Sequence, residues 1–137
     1  MVRGFKLLDD KMGITLGRSA PFPISQVWFG FEPYRGLRIS LDDGGMYGEI
    51  VFDDPVSHRV QDERDMLHYW SARSSEGVAV GSLYSIAESA YLSELSGGVS
   101  SFERDLSHYL VLGSDICVEV ISYEPPQLVL RGTKSGF

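Results

Sequence analysis

Apolar positions alternate in the first third of the chain, fall into helical spacing in the middle, and form near-continuous runs towards the end. Phe5–Leu8 and Gly13–Leu16 are short apolar segments separated by the charged turn Asp9-Asp10-Lys11. Pro21 and Pro23 then interrupt regular structure, because proline fixes φ and removes a ladder donor. Val27–Phe31 resumes as an aromatic-rich strand, and Gly36–Leu41 alternates with Leu37, Ile39 and Leu41 on one face. The turn Asp42-Asp43-Gly44-Gly45 joins this run to a strand over Tyr47–Phe52, which predicts an antiparallel hairpin with an exposed acidic tip.

Helical spacing begins after Val60. Asp62 is placed to cap a helix, with Asp65 three residues on, and acidic groups there complement the positive end of the helix dipole. Met66, Leu67 and Trp70 supply its apolar stripe, and Arg73 marks its end. Val78–Val80 reads as a short strand. A second helix is expected over Leu83–Ser96, where Leu83, Ile86, Ala87, Ala90, Tyr91 and Leu95 recur at helical spacing before Gly97-Gly98. Ser100-Ser101 can cap one further helical turn. Tyr109–Leu112 and Ile116–Ile121, joined by Gly113-Ser114-Asp115, form the clearest hairpin, apolar enough for central strands covered on both faces. Pro125-Pro126 precedes a last strand over Gln127–Leu130, and Thr133–Phe137 are expected to fray. Strands, then helices, then strands predict an α+β fold: a mainly antiparallel sheet with two helices packed on one face.

Composition narrows the class. A chain of 137 residues, 43% hydrophobic and 23% charged, supports one globular domain over residues 1–137. No apolar run approaches the roughly 20 residues of a membrane helix, and Met1–Asp10 lacks a secretory h-region. The single cysteine, Cys117, excludes an internal disulfide and fits a reducing compartment, so cytoplasmic residence is expected.

Charge changes the picture more. Asp42, Asp43, Glu49, Asp53, Asp54, Asp62, Glu63 and Asp65 crowd one stretch of a chain whose formal charge is −7. Their field attracts basic surfaces, while twelve scattered basic residues against nineteen acids disfavour nucleic acid as a partner. Partner contacts are therefore expected at Asp42, Asp43, Asp53, Asp54, Asp62 and Asp65. Tyr34 and Tyr47 join them as aromatics near turns, whereas Trp28 and Trp70 are expected in the core.

Candidate chemistry is thin. His58, Asp62, Asp65 and His68 have the residue types of a divalent-ion site, but capping and surface placement account for them, so no metal or other cofactor is expected. Cys117 with His108 and Asp115 or Glu119 has the composition of a thiol site, yet Cys117 lies in the most apolar segment and reads as a small core residue. No Gly-x-Ser-x-Gly elbow or phosphate loop is present. No catalytic residue is assigned, and the chain is expected not to be an enzyme.

The stretch Asp-Glu-Arg-Asp-Met-Leu-His-Tyr-Trp at 62–70, with Ser107–Val111 running into Asp115–Ile121, resembles the small acidic immunity proteins of bacterial polymorphic and contact-dependent toxin systems. That resemblance implies a protein that neutralises a cognate toxin by stoichiometric binding. An acidic inhibitor suits a toxin with a basic cleft, and electrostatic steering would speed capture. A generic structural or adaptor domain, and an enzyme with a dispersed carboxylate and histidine site, stand as the alternatives.

Overall fold

The computed structural model describes residues 3–8, 24–30, 36–42, 46–78, 81–96, 106–114 and 116–133. Their elements are β1 (Arg3–Leu7), β2 (Ile24–Gly30), β3 (Gly36–Asp42), β4 (Met46–Asp53), β5 (Ser57–Asp62), α1 (Glu63–Ser75), β6 (Leu83–Glu88), α2 (Ala90–Ser96), β7 (Ser107–Leu112), β8 (Ile116–Ser122) and β9 (Gln127–Thr133). Every pairing is antiparallel, and the strands form two sheets rather than one. One sheet has the order β1-β6-β7-β8-β5 and the other β2-β3-β4-β9. The described residues are thus mainly antiparallel sheet with two short helices.

Period-two patterning explains how the sheets meet. Leu37, Ile39 and Leu41 of β3 and Ile50 and Phe52 of β4 turn to one side, where they meet Leu83, Tyr109, Val111, Val118 and Val120 of the five-stranded sheet. The five-stranded sheet is apolar on its other face as well: Phe5, Tyr84, Ile86, Leu110, Leu112 and Cys117 form a second cluster with Tyr69 of α1. Covered on both sides, β7 and β8 lose the alternation that β3 shows, as their near-continuous apolar runs require. In the β7–β8 turn the Gly113 N–H donates to the Ile116 carbonyl at 2.9 Å. A Cβ at Gly113 would lie 2.7 Å from that oxygen and 2.8 Å from Ile24, so only glycine fits.

Helix α1 begins directly after Asp62 and ends in a Schellman turn. The Val78 N–H donates to the Arg73 carbonyl, the Gly77 N–H donates to Ser74, and Gly77 has φ 69°. Beyond this turn, the Glu76 carboxylate accepts the N–H groups of Gly4 and Phe5 at 3.1 and 2.9 Å, fastening β1.

Four expectations need correction. Leu83–Glu88 is a strand, because β1 and β7 supply ladder partners on both sides of it; helix starts only at Ala90. Of the strand expected over Val78–Val80, Val78 lies outside any strand, held by its bond to Arg73, and residues 79 and 80 fall outside the described residues. Among the described residues of α1, Tyr69 is buried and Leu67 is exposed, while Trp70 is half-buried against the second cluster. Trp28 is 40% exposed, since β2 is an edge strand and Trp28 pairs with Arg38 on the side away from the core. The predictions for Gly13–Leu16, Ser100–Arg104 and residues 134–137 fall outside the described residues.

Candidate functional site

The most polar point of the interior is Glu119, in the middle of β8 and fully buried. Strand register puts it opposite Leu110 of β7 and Arg59 of β5. A buried carboxylate must be paired, and this one is surrounded by donors. The Tyr69 hydroxyl donates to Oε1, and Arg59 Nε and Gln61 Nε2 donate to Oε2. His108 Nε2 lies 3.1 Å from Oε1, off the line of a hydrogen bond. Burial raises the cost of charging Arg59, but its hydrogen bond and ion pair with Glu119 outweigh that and leave its pKa above the ordinary value.

The network continues outward into α2. The Arg59 guanidinium lies 4.0 Å over the ring of Tyr91, whose hydroxyl is 2.5 Å from Ser57 Oγ. Ser89 Oγ accepts the Leu92 N–H at 3.0 Å, capping α2, and sits 2.5 Å from His108 Nδ1. Direction in the Ser89–His108 pair follows the tautomer: with the imidazole proton on Nε2, towards the acceptor-only carboxylate of Glu119, the Ser89 hydroxyl donates to Nδ1. Burial, reinforced by Arg59, lowers the His108 pKa to about 3 and keeps the ring neutral. Tyr69 and Tyr91 each present an edge-to-face contact to that ring.

Serine, imidazole and carboxylate are therefore in series, beside a cavity of about 730 Å³ lined by Ile86, Ser89, Leu92, Glu94, Leu106 and Ser107. The sequence had paired His108 and Glu119 with Cys117. The structure joins those two to each other, while Cys117 is buried among apolar side chains, pairing with Leu112 four residues along β7 from His108. An imidazole this weakly basic, next to a serine already used as a cap, is better suited to fastening than to proton abstraction.

No family model, curated protein or solved structure matches the chain.

The predicted acidic contacts do not form one patch. Asp42 is half-buried at the end of β3 opposite Tyr47 of β4, whereas Asp53, at the other end of β4, pairs with Gly36. Six residues of strand, about 20 Å, separate the two ends. Asp53 and Asp54 are exposed, and Asp54 has φ 48°. Asp62 is exposed at the end of β5, four residues from His58. Asp65 lies on α1 and Tyr47 on β4, with side chains outside the described residues; Asp43 and Tyr34 are outside them altogether. His68 stacks on Tyr69, and His58 on Phe29 at 4.9 Å, its pKa lowered by burial. Among the described residues no three His, Cys, Asp or Glu side chains are grouped to hold a metal, and no helix is long and apolar enough to cross a membrane.

The Phe29–His58 contact brings the edge strands β2 and β5 together along one side of the sandwich. Trp28, Phe29, Val56 and Val60 are each 38 to 49% exposed on these strands and the turn before β5. Asp53 and Asp54 precede that turn, and Asp62 ends β5. Patterning could not locate this side, because exposure here follows from edge position rather than residue type. Glu119 did leave a signal: a lone carboxylate inside Ile116–Ile121 demands a buried partner.

Proposed function

We propose that the protein is a stoichiometric inhibitor that binds a basic partner, an immunity protein whose cognate toxin is met in the cytoplasm through the β2–β5 side. The observation that carries this reading is the exposed apolar set Phe29, Val56 and Val60, with exposed Asp53 and Asp54 before the Val56 turn and exposed Asp62 at the end of β5, in a chain of charge −7. Apolar anchors rimmed by charge of one sign fit a surface of the opposite sign. The reading also takes α1 and α2 to cover the same face of the five-stranded sheet, supported by Tyr69 and Tyr91 both meeting the His108 ring. That arrangement leaves the β2–β5 side for a partner.

Co-purification with the product of the neighbouring gene is the test. A one-to-one complex should form, with an association rate that falls as salt is raised across the roughly 8 Å screening length of physiological buffer. Asp53→Asn with Asp54→Asn should slow association with little effect on dissociation. An association rate indifferent to both salt and these substitutions would overturn capture at this surface.

A second reading, an enzyme with a dispersed site, is favoured by Ser89, His108 and Glu119 in series beside the cavity. Covalent labelling of Ser89 by a fluorophosphonate probe, lost in His108→Gln, would establish it; an unlabelled Ser89 would dismiss it.

A further inference from the structure

Most described tyrosines are engaged inside the protein. Tyr69, Tyr84 and Tyr91 are buried, and their hydroxyls meet Glu119, Gly81 and Ser57. Tyr123, just past the end of β8, departs from that rule. It is 51% exposed, more than any other described aromatic side chain, and among the described residues it has neither a hydrogen bond nor a ring contact.

The backbone that carries this ring is held on both sides. Ser122 is buried and pairs with Ser107 of β7. Its hydroxyl donates to the Glu124 carbonyl at 2.9 Å and accepts the Glu124 N–H at 3.2 Å. Pro125 and Pro126 fix φ in the next two residues, Pro126 is buried, and β9 pairs with β4 from Gln127 onward. A partner packing on Tyr123 therefore freezes little backbone motion. Tyrosine also presents a large ring on only two side-chain torsions, so a tyrosine held this way is suited to anchor an interface.

The charge around it has one sign. The Val56 N–H donates to the Ile121 carbonyl at 2.9 Å, which brings residues 53–57 alongside the end of β8. Val51 pairs with Gln127, so Asp53, two residues on, lies at the same end of the sandwich as the turn that carries Tyr123. Asp53, Val56 and Glu124 are exposed, and neither 53–57 nor 122–127 contains a lysine or arginine.

We propose that Tyr123 is the aromatic anchor of the inhibitory surface and seats an arginine side chain of a basic partner protein. This deepens the inhibitory reading and rests on it for the partner. The guanidinium lies over the face of the ring, and the carboxylates of Glu124 and Asp53 supply the field that draws it there. Arginine suits the place better than lysine, because its planar, weakly hydrated cation stacks on an aromatic face. A second copy of this chain would instead bring two acidic ends together.

The probe is the capped peptide (Gly-Arg)4, tested against (Gly-Lys)4 and the neutral citrulline peptide (Gly-Cit)4 on protein labelled with 3-fluorotyrosine. The Tyr123 fluorine resonance is identified by its absence from Tyr123→Phe. Saturable binding of the arginine peptide that shifts this resonance is the expected result. Affinity should fall about tenfold for the citrulline peptide and severalfold for the lysine peptide. Tyr123→Ala should cost about tenfold, whereas Tyr123→Phe, which keeps the ring face, should hold within about twofold. Tyr123→Leu, apolar but without a ring, makes the same test should Tyr123→Ala fail to fold. Undiminished affinity in the variant lacking the ring, equal binding of either control peptide, or an unmoved Tyr123 resonance overturns the anchor. A dimer in sedimentation equilibrium that Tyr123→Ala dissociates gives the ring to a second copy and overturns it too. The neighbouring gene product separates the two proposals. Capture weakened by Asp53→Asn with Asp54→Asn but untouched by Tyr123→Ala preserves inhibition and removes the anchor. Arginine-peptide binding that depends on Tyr123, without any captured product, does the reverse.

Discussion

Lowering the pH from 7 to 5 should destabilise the protein through His108. In the folded chain its pKa is about 3, set first by burial and then by Arg59; in the unfolded chain it returns to 6.5. The unfolded state therefore binds more protons, and stability falls as pH drops below 6.5, until the folded form also protonates near 3. At pH 5 the unfolded histidine is almost fully charged and the folded one neutral, so the loss is about 2 kcal/mol, or about 30-fold in the folding constant. The figure is insensitive to the folded pKa, because pH 5 lies well above it. Glu119, Arg59, Tyr69 and Tyr91 face the ring, so the assay must isolate its share. Urea denaturation, followed by tryptophan emission at both pH values, should show a midpoint shift of about 1 M in the wild type. His108→Gln should remove most of that shift. His58, also lowered by burial, acts in the same direction, and His58→Gln supplies the control. Equal pH dependence in wild type and His108→Gln would refute a buried neutral imidazole.

Tyr69→Phe removes one donor from a fully buried carboxylate and should cost about 1 to 3 kcal/mol in chemical denaturation; an unchanged midpoint would mean that the hydroxyl does not support Glu119. Val118→Asp puts an unpaired charge between the two sheets and should cost more than about 4 kcal/mol, so wild-type thermal stability in that variant would contradict the sandwich core. Cys117→Ala should cost only about 1 to 2 kcal/mol and leave partner binding intact, and the native thiol should resist Ellman's reagent until the chain unfolds; rapid native labelling would show that Cys117 is not enclosed.

Much of this fold was legible where one face decides the pattern. Leu37, Ile39 and Leu41 alternate because one side of β3 faces the core, and the helix start after Asp62 and the β7–β8 hairpin stood out for equally local reasons. Leu83–Glu88 misled because Leu83 and Ile86 suit a helix face as well as a strand. The choice was made by β1, whose Arg3 pairs with Glu88 from the far end of the chain. Two sheets rather than one could not be read at all, since β9 returns beside β4 after the five-stranded sheet is complete. Of the expected contact residues, Asp53, Asp54 and Asp62 are exposed, while Asp42 lies at the opposite end of its hairpin from Asp53. Trp28 looked like core because composition carries no information about which strand stands last in a sheet.

The Glu119 network also has a history in time. Its donors lie 50, 58 and 60 residues away along the chain, so it closes only after β5, α1 and β8 have been brought together. The neighbouring hairpins β3–β4 and β7–β8 need no such search and can form first. Glu119→Gln should then leave the refolding arm of a chevron nearly unchanged and steepen the loss through faster unfolding, a φ-value near zero. A slowed refolding arm would place the carboxylate in the nucleus instead. With its lock fastened last, the protein's lifetime against unfolding, more than its speed of folding, is what this one buried side chain sets.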